Sequence, residues 1–315
     1  MVNDRNRPMK LLLATDGSEC ARRALDFLRA LRLSSGSELM IVTVVDRELY
    51  GDGNEGGSLD EEHRETRLRI NEMLASDAAK LVEQEAGRFG DPDQRCSTRV
   101  LYGQPAEEIV KVAEELDIDL IVMGNHGLGG VKRFLLGSTS DQVMQHAACP
   151  VLIVRPDLTG DTDDSIRFEN PLHILVPFED SRYARHAAEY CASLPMDEQT
   201  RVTALSVLPL VKLYRQDVSQ QLEWMWKEKR KVAEAGLAWV TESLEWKTMH
   251  ISSQLREHPD VSEAIIDAAD ELDIDMIVVG DKGTGAIRRF LLGSVTRRVA
   301  HHAPCSVLVV RKKSG

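Results

Sequence analysis

Two stretches of the chain have the residue types and spacing of a phosphate-binding turn. GNHGLGGVKRFLLGS runs from Gly124 to Ser138, and GDKGTGAIRRFLLGS from Gly280 to Ser294, 156 residues later; nine of the fifteen positions are identical. In each copy a second glycine follows three residues after the first, at Gly127 or Gly283. Nine residues then precede a Gly-Ser pair, Gly137-Ser138 or Gly293-Ser294. Glycine lets backbone approach a bound group closely. A Gly-Ser pair that opens a helix offers free N–H groups, a hydroxyl and the positive end of the helix dipole, which together suit a phosphate. Lys132 and Arg133, matched by Arg288 and Arg289, add local positive charge. Taken singly, each glycine reads as a turn and Arg133 as a solvated charge; the doubled spacing is what points to a site. Neither copy is a Walker loop, and no G-x-G-x-x-G follows the first strand.

The elements that must carry these loops repeat as well. A shift of 156 aligns Glu107–Arg155 with Glu263–Arg311 without a gap, and 27 of those 49 positions are identical. LLLATDGSECARRAL resembles ILVPFEDSRYARHAA at a shift of 163. The periodicity predicts a βαβαβαβαβ order in each half. In the first half KLLLAT, ELMIVTVV, STRVLY, DLIVMG and PVLIV are the strands. Helices are expected over Ser18–Leu33, Asp60–Phe89, Pro105–Leu116 and Ser138–His146. Continuous Val/Ile/Leu strands joined by helices imply a parallel sheet covered on both faces. The predicted domains are 1–155 and 172–315. Residues 156–171, acidic and bounded by Pro156 and Pro171, read as a linker. Asp16 follows the first strand, with Ser18 as an N-cap behind it. Ligands bind at the carboxyl ends of parallel strands where helices leave to opposite faces, so Asp16 and the Gly124–Ser138 loop are expected to line one crevice.

Together these motifs resemble the universal stress protein family in its tandem two-domain form, over nearly the whole chain. The family's nucleotide motif G-x2-G-x9-G-[ST] is met by Gly124, Gly127, Gly137 and Ser138, and again by Gly280, Gly283, Gly293 and Ser294. The resemblance implies two Rossmann-like domains of the adenine nucleotide α-hydrolase-like type. Each would be a five-stranded parallel sheet of order 3-2-1-4-5, with ATP, with or without Mg2+, between strands one and four. It implies that Asp16 contacts the nucleotide, that the Val44 backbone holds the adenine edge, and that Gly137, Ser138 and Thr139 cradle the phosphates. Val207 corresponds to Val44. Glu179 stands where Asp16 does and reaches about one methylene further, with Asp180 replacing Gly17. Gly103 and Pro105 keep the family's Gly-x-Pro, which the second half replaces with HPDVSEA.

No catalytic set accompanies these groups. Phosphoryl transfer needs a metal clamp, a positioned nucleophile and cationic stabilisation, whereas strand four ends in glycine and His126 becomes Lys282 in the second copy. The expected function is therefore an ATP-binding regulatory or stress-response protein, with at most slow hydrolysis or autophosphorylation on Ser138 or Ser294. The alternative is a partner-binding scaffold with vestigial sites, built on the long helices Asp60–Phe89 and Leu213–Leu244, the latter carrying Trp224 and Trp226. The net charge of −12 argues against nucleic acid and anionic membranes. Five scattered cysteines and no apolar leader lead to a cytoplasmic expectation. The last strands, PVLIVR and SVLVVR, are expected to pair edge to edge as an internal pseudo-dimer, with room for a further homodimer.

Overall fold

The computed structural model describes residues 8–31, 33–46, 61–90, 95–127, 136–155, 171–196, 198–210, 219–283 and 292–312. The first half contains β1 (Lys10–Ala14), α1 (Glu19–Ala30), β2 (Glu38–Val45), α2 (Glu61–Phe89), β3 (Arg95–Tyr102), α3 (Pro105–Glu115), β4 (Leu120–Gly124), α4 (Ser138–His146) and β5 (Val151–Val154). The second contains β6 (His173–Pro177), α5 (Arg182–Ser193), β7 (Arg201–Pro209), α6 (Ser219–Leu244), β8 (Ile251–His258), α7 (Val261–Glu271), β9 (Met276–Gly280), α8 (Ser294–His302) and β10 (Ser306–Val310). Each half is a compact unit of its own. In the first, the strands are hydrogen-bonded in the order β3-β2-β1-β4-β5, all parallel. In the second, the order is β8-β7-β6-β9-β10, again all parallel. Both are therefore 3-2-1-4-5 sheets, as expected.

The central strands are buried on both faces, which is why they read as unbroken apolar runs. Leu11, Leu12 and Leu13 of β1 and Ile121 and Val122 of β4 have no exposed surface. Helices pack closely because small residues face the sheet: Ala21 and Ala24 on α1, and Ala184, Ala187 and Ala188 on α5, are buried. Ser18 caps α1 by accepting from the Ala21 N–H at 3.2 Å. The helix stops at Ala30 rather than Leu33, because Leu31 leaves helical geometry while its N–H still bonds to Phe27 O.

The repeated ELDID segment is turn chemistry. Asp117 and Asp273 adopt positive φ, at 54° and 49°, a conformation that aspartate tolerates better than most residues. Asp119 and Asp275 then bind the first strand of their own unit. The Lys10 N–H donates to Asp119 Oδ2 at 3.0 Å, and the His173 N–H to Asp275 Oδ2 at 2.6 Å. The missing Gly-x-Pro of the second half is replaced by a cap: Asp260 accepts from the Glu263 N–H at 3.1 Å at the start of α7.

One buried carboxylate works against the fold. Glu85 on α2 is 3% exposed, and its Oε2 has no hydrogen-bond partner. Arg88 stands 3.8 Å from Oε1. Burial raises the Glu85 pKa, with Arg88 only partly opposing it. A carboxyl whose folded pKa is raised binds its proton more tightly when folded, so its cost is absent in acid and appears as pH climbs through the carboxylate range. Glu85→Leu is therefore expected to raise the melting temperature by a few degrees at pH 7. Melting curves from pH 4 to 7 should show that gain shrinking towards the acid end; a pH-independent change would contradict the burial argument.

Candidate functional site

In the first unit, β1 ends at Ala14 while its neighbour β2 runs on to Val45. Ala14 pairs with Val42, and the Thr15 N–H donates to Val42 O at 2.9 Å. Val42 therefore directs its main chain towards β1. Alternation along a strand gives Val44 the same direction, but two residues beyond the end of β1. The Val44 main chain thus comes to the edge of a crevice between β1 and β4. In the second unit the Phe178 N–H donates to Leu205 O at 2.8 Å, and Val207 takes the matching place.

A cavity of about 480 Å³ occupies the first crevice. Asp16, Val44, Gly124, Gly127, Gly137, Ser138 and Thr139 all line it. The Asp16 carboxylate is held by the turn it closes, since the Ser18 N–H donates to Oδ1 at 3.0 Å. Its Oδ2 lies directly over Gly127, where an added Cβ would collide with it. Glycine at 127 leaves the acid at 16 in this position; a larger residue would push it aside. The same dependence recurs in the second unit, where a Cβ on Gly283 would strike Glu179 Oε1.

The strand-to-helix excursion is fastened at its base. The Asn125 N–H donates to Val154 O at 3.0 Å, and Asn125 O accepts from the Gly137 N–H at 2.7 Å. Asp281 repeats both bonds, to Val310 at 3.0 Å and from Gly293 at 2.8 Å. The Ser140 hydroxyl donates to Gly124 O at 2.9 Å, as Thr296 does to Gly280 O at 2.7 Å. These anchors, which the motif does not reveal, seat the first turn of α4 or α8 beside the end of β4 or β9. Gly137 and Gly293 are N-caps without a side-chain bond to the helix. A glycine cap leaves the N–H groups of that first turn without a cap side chain of its own, and the turn lines the crevice.

Gly124 has a further reason to be glycine. A Cβ there would lie 2.8 Å from the carbonyl carbon of Cys20 on α1, and at Gly280 it would lie 2.8 Å from Tyr183 O on α5. Both glycines let a helix cross the strand end. His126 points to the same place: its Nδ1 is 3.0 Å from Cys20 Sγ and 2.9 Å from Asn125 Oδ1. Burial pushes the Cys20 thiol up to about 11, which leaves it protonated and poorly nucleophilic at neutral pH. Arg133 and Arg289, with Lys132 and Arg288, lie outside the described residues.

In the second unit, Glu179, Val207, Gly280, Gly283, Gly293 and Ser294 line one cavity of about 1210 Å³. Asp180, the other acid beside Glu179, is ion-paired with Arg185, whose Nε donates to Oδ1 at 3.0 Å. Arg185 is held in turn over the Trp239 ring at 4.6 Å. Val295 stands where the first unit has Thr139, so a hydroxyl at the helix start is lost. Among the described residues no group of three or more His, Cys, Asp or Glu is placed to hold a metal ion, and no helix is long and apolar enough to cross a membrane.

The fold defines a tandem Rossmann-like protein with a crevice at the switch point between β1 and β4 in one unit and between β6 and β9 in the other. The chain belongs to the universal stress protein family, whose family model matches residues 8–155 and 172–311. Relatives of that name span about half of it at a time. One from Thermus aquaticus is 37% identical over 147 residues, 46% of this chain and 97% of the relative. YxiE of Bacillus subtilis is 34% identical over 147 residues, covering 46% of this chain and 98% of its own. MJ0577 of Methanocaldococcus jannaschii is 30% identical over 152 residues, covering 46% and 94%. Two solved structures share the fold over the full length. PA1789 of Pseudomonas aeruginosa matches with TM-score 0.62 at 14% identity, covering 99% of this chain and 95% of that one. A universal stress protein of Archaeoglobus fulgidus matches with TM-score 0.55 at 20% identity, covering 97% of both.

Proposed function

We propose that this chain is an ATP-binding regulatory protein of the stress response, with the nucleotide held in the first unit. The observation that carries the reading is the convergence of three kinds of group on one crevice. The Val44 main chain offers an edge for adenine, Asp16 a fixed carboxylate, and α4 a set of N–H groups for phosphates. A cavity of about 480 Å³ suits a ligand of nucleotide size, since such pockets run from about 300 to 1,000 Å³. Gly127 and Gly137 keep the path between these groups open, because a Cβ on either would meet Asp16 or the His126 backbone. Bound ATP would bring the triphosphate; Asp16 and the helix dipole would orient it. In the second unit Glu179 replaces Asp16 and Val295 replaces Thr139, so one ATP per chain is expected.

A regulatory rather than enzymatic role follows from the groups beside the crevice. His126 is the imidazole lining it, and it is already engaged with Cys20 and Asn125. Hydrolysis or self-phosphorylation on Ser138 would be slow, far below the roughly 10 per second of a typical enzyme. Calorimetric titration with ATP, with and without Mg2+, tests the reading. The expected result is a micromolar dissociation constant that Asp16→Ala weakens by at least tenfold. An identical constant in Asp16→Ala, or turnover at ordinary enzyme rates, would overturn it.

A further inference from the structure

The second crevice keeps the glycine framework of the first but changes the chemistry around it. Thr15 becomes Phe178, Val45 becomes Leu208, Asp46 becomes Pro209 and Thr139 becomes Val295. Three polar positions thereby turn apolar. The cavity also grows from about 480 to about 1210 Å³. The added volume lies against α6, which lines it with Trp224, Met225, Val232 and Ala233.

Phe178 explains how α6 comes to form this wall. Its ring packs on Trp239 of α6 with centroids 5.6 Å apart. It also fits against Gly236, where a Cβ would come within 2.6 Å of the ring. Phe178 is 3% exposed, so it fixes the helix at the strand end. The lining residues Trp224, Met225, Glu228, Lys229, Val232 and Ala233 recur at helical spacing along one flank, four of them apolar. At 1.5 Å per residue they mark a stripe about 14 Å long. Opposite stand Leu208 of β7 and Val261 and Ile265 of α7. Within the stripe Trp224 is 67% exposed, and Met225 and Val232 are each 46% exposed. Large apolar side chains gathered along one side of a concavity mark a surface that a ligand covers.

The shape and polarity determine what that ligand is. A nucleotide would leave most of an apolar cavity of this volume unfilled. The trough is long along α6 and mainly apolar, interrupted by Glu228 and Lys229, and it ends at the polar mouth formed by Glu179, Asp180, Lys282 and Ser294. We propose that the second unit binds an elongated amphiphile, a medium-to-long acyl chain lying along α6 with its polar end at the Gly283 mouth, in place of nucleotide. This goes beyond the ATP assignment of the first unit and does not depend on it.

The test uses the full-length protein and cis-parinaric acid, a fluorescent polyene fatty acid, below its micellar concentration. Saturable binding of one equivalent per chain is expected, with displacement by palmitate but not by ATP. Met225→Asp and Val232→Asp change exposed side chains, so the fold should persist by circular dichroism while probe affinity falls at least tenfold. Gly127→Val, in the first unit, should leave probe binding unchanged. The proposal is overturned by absence of saturable binding, by equal affinity in Met225→Asp and Val232→Asp, or by displacement with ATP. It is also overturned if the wild type takes up no probe and sedimentation shows a dimer that Val232→Asp separates, because a second copy would then cover this face. Loss of ATP binding in the wild type, with probe binding intact, would refute the first-unit reading alone.

Discussion

Gly124→Val is expected to unfold the first unit well before the second. The side chain would have to grow into the backbone of α1, with its Cβ 2.8 Å from the Cys20 carbonyl carbon and 3.0 Å from the Ala21 N. A flexible side chain could rotate away from such a clash; helix backbone cannot. The helix is pinned there by the Ser18 cap and by the buried Ala21, Ala24 and Leu28. Relief requires lifting α1 from β4, which opens the core on that face of the sheet. Overpacking costs about 1–3 kcal/mol and occasionally more, and a clash with helix backbone belongs at the upper end, a large share of a domain's roughly 5–15 kcal/mol. Urea unfolding followed by circular dichroism should show an early transition absent from the wild type. Gly280→Val should do the same to the second unit, where the obstacle is Tyr183 O. A loss under about 1 kcal/mol would show that α1 is not held as described.

Gly127→Val is expected to abolish ATP binding while leaving stability nearly unchanged. Gly127 packs against no backbone; its missing Cβ leaves room for the Asp16 carboxylate. Its φ is not in the left-handed region, so a side chain is not excluded on that ground. Valine would push Asp16 Oδ2 aside and fill the crevice floor. The expected weakening is at least 100-fold, about 2.7 kcal/mol, with a melting temperature within a degree or two of wild type. Gly124 and Gly127 are three residues apart in one motif, yet one should fail in stability and the other in binding. Parallel urea and calorimetric measurements separate them. Gly127→Val protein that unfolds early, or that binds ATP normally, would contradict the assignment.

Much of this was legible in the sequence because the repeat samples each position twice. The parallel sheet followed from unbroken apolar strands, and its strand order from the family resemblance. The crevice followed from Asp16 lying after strand one and the glycine ladder after strand four. Identity across the repeat does not by itself separate turn from ligand residues. ELDID is shared because Asp117 and Asp119 build the turn into β4 and tie down β1. Gly124 reads as a ligand-facing glycine in the motif, but its missing side chain first admits α1. The character of the second cavity was not legible, because it depends on Phe178 meeting Trp239 and Gly236 across about sixty residues of chain. A lone Phe after a strand and a Trp on a polar helix carry no such signal. Asp180 shows the same limit: nothing in the sequence signals its ion pair with Arg185, which lies over Trp239.

The most direct test is the number of ATP molecules bound per chain at saturation, measured by equilibrium dialysis of the full-length protein with Mg2+ present. One equivalent, lost in Gly127→Val and retained in Gly283→Val, is the result expected from a crevice completed by Asp16 in the first unit alone. Two equivalents, or one that Gly283→Val removes and Gly127→Val does not, would contradict it.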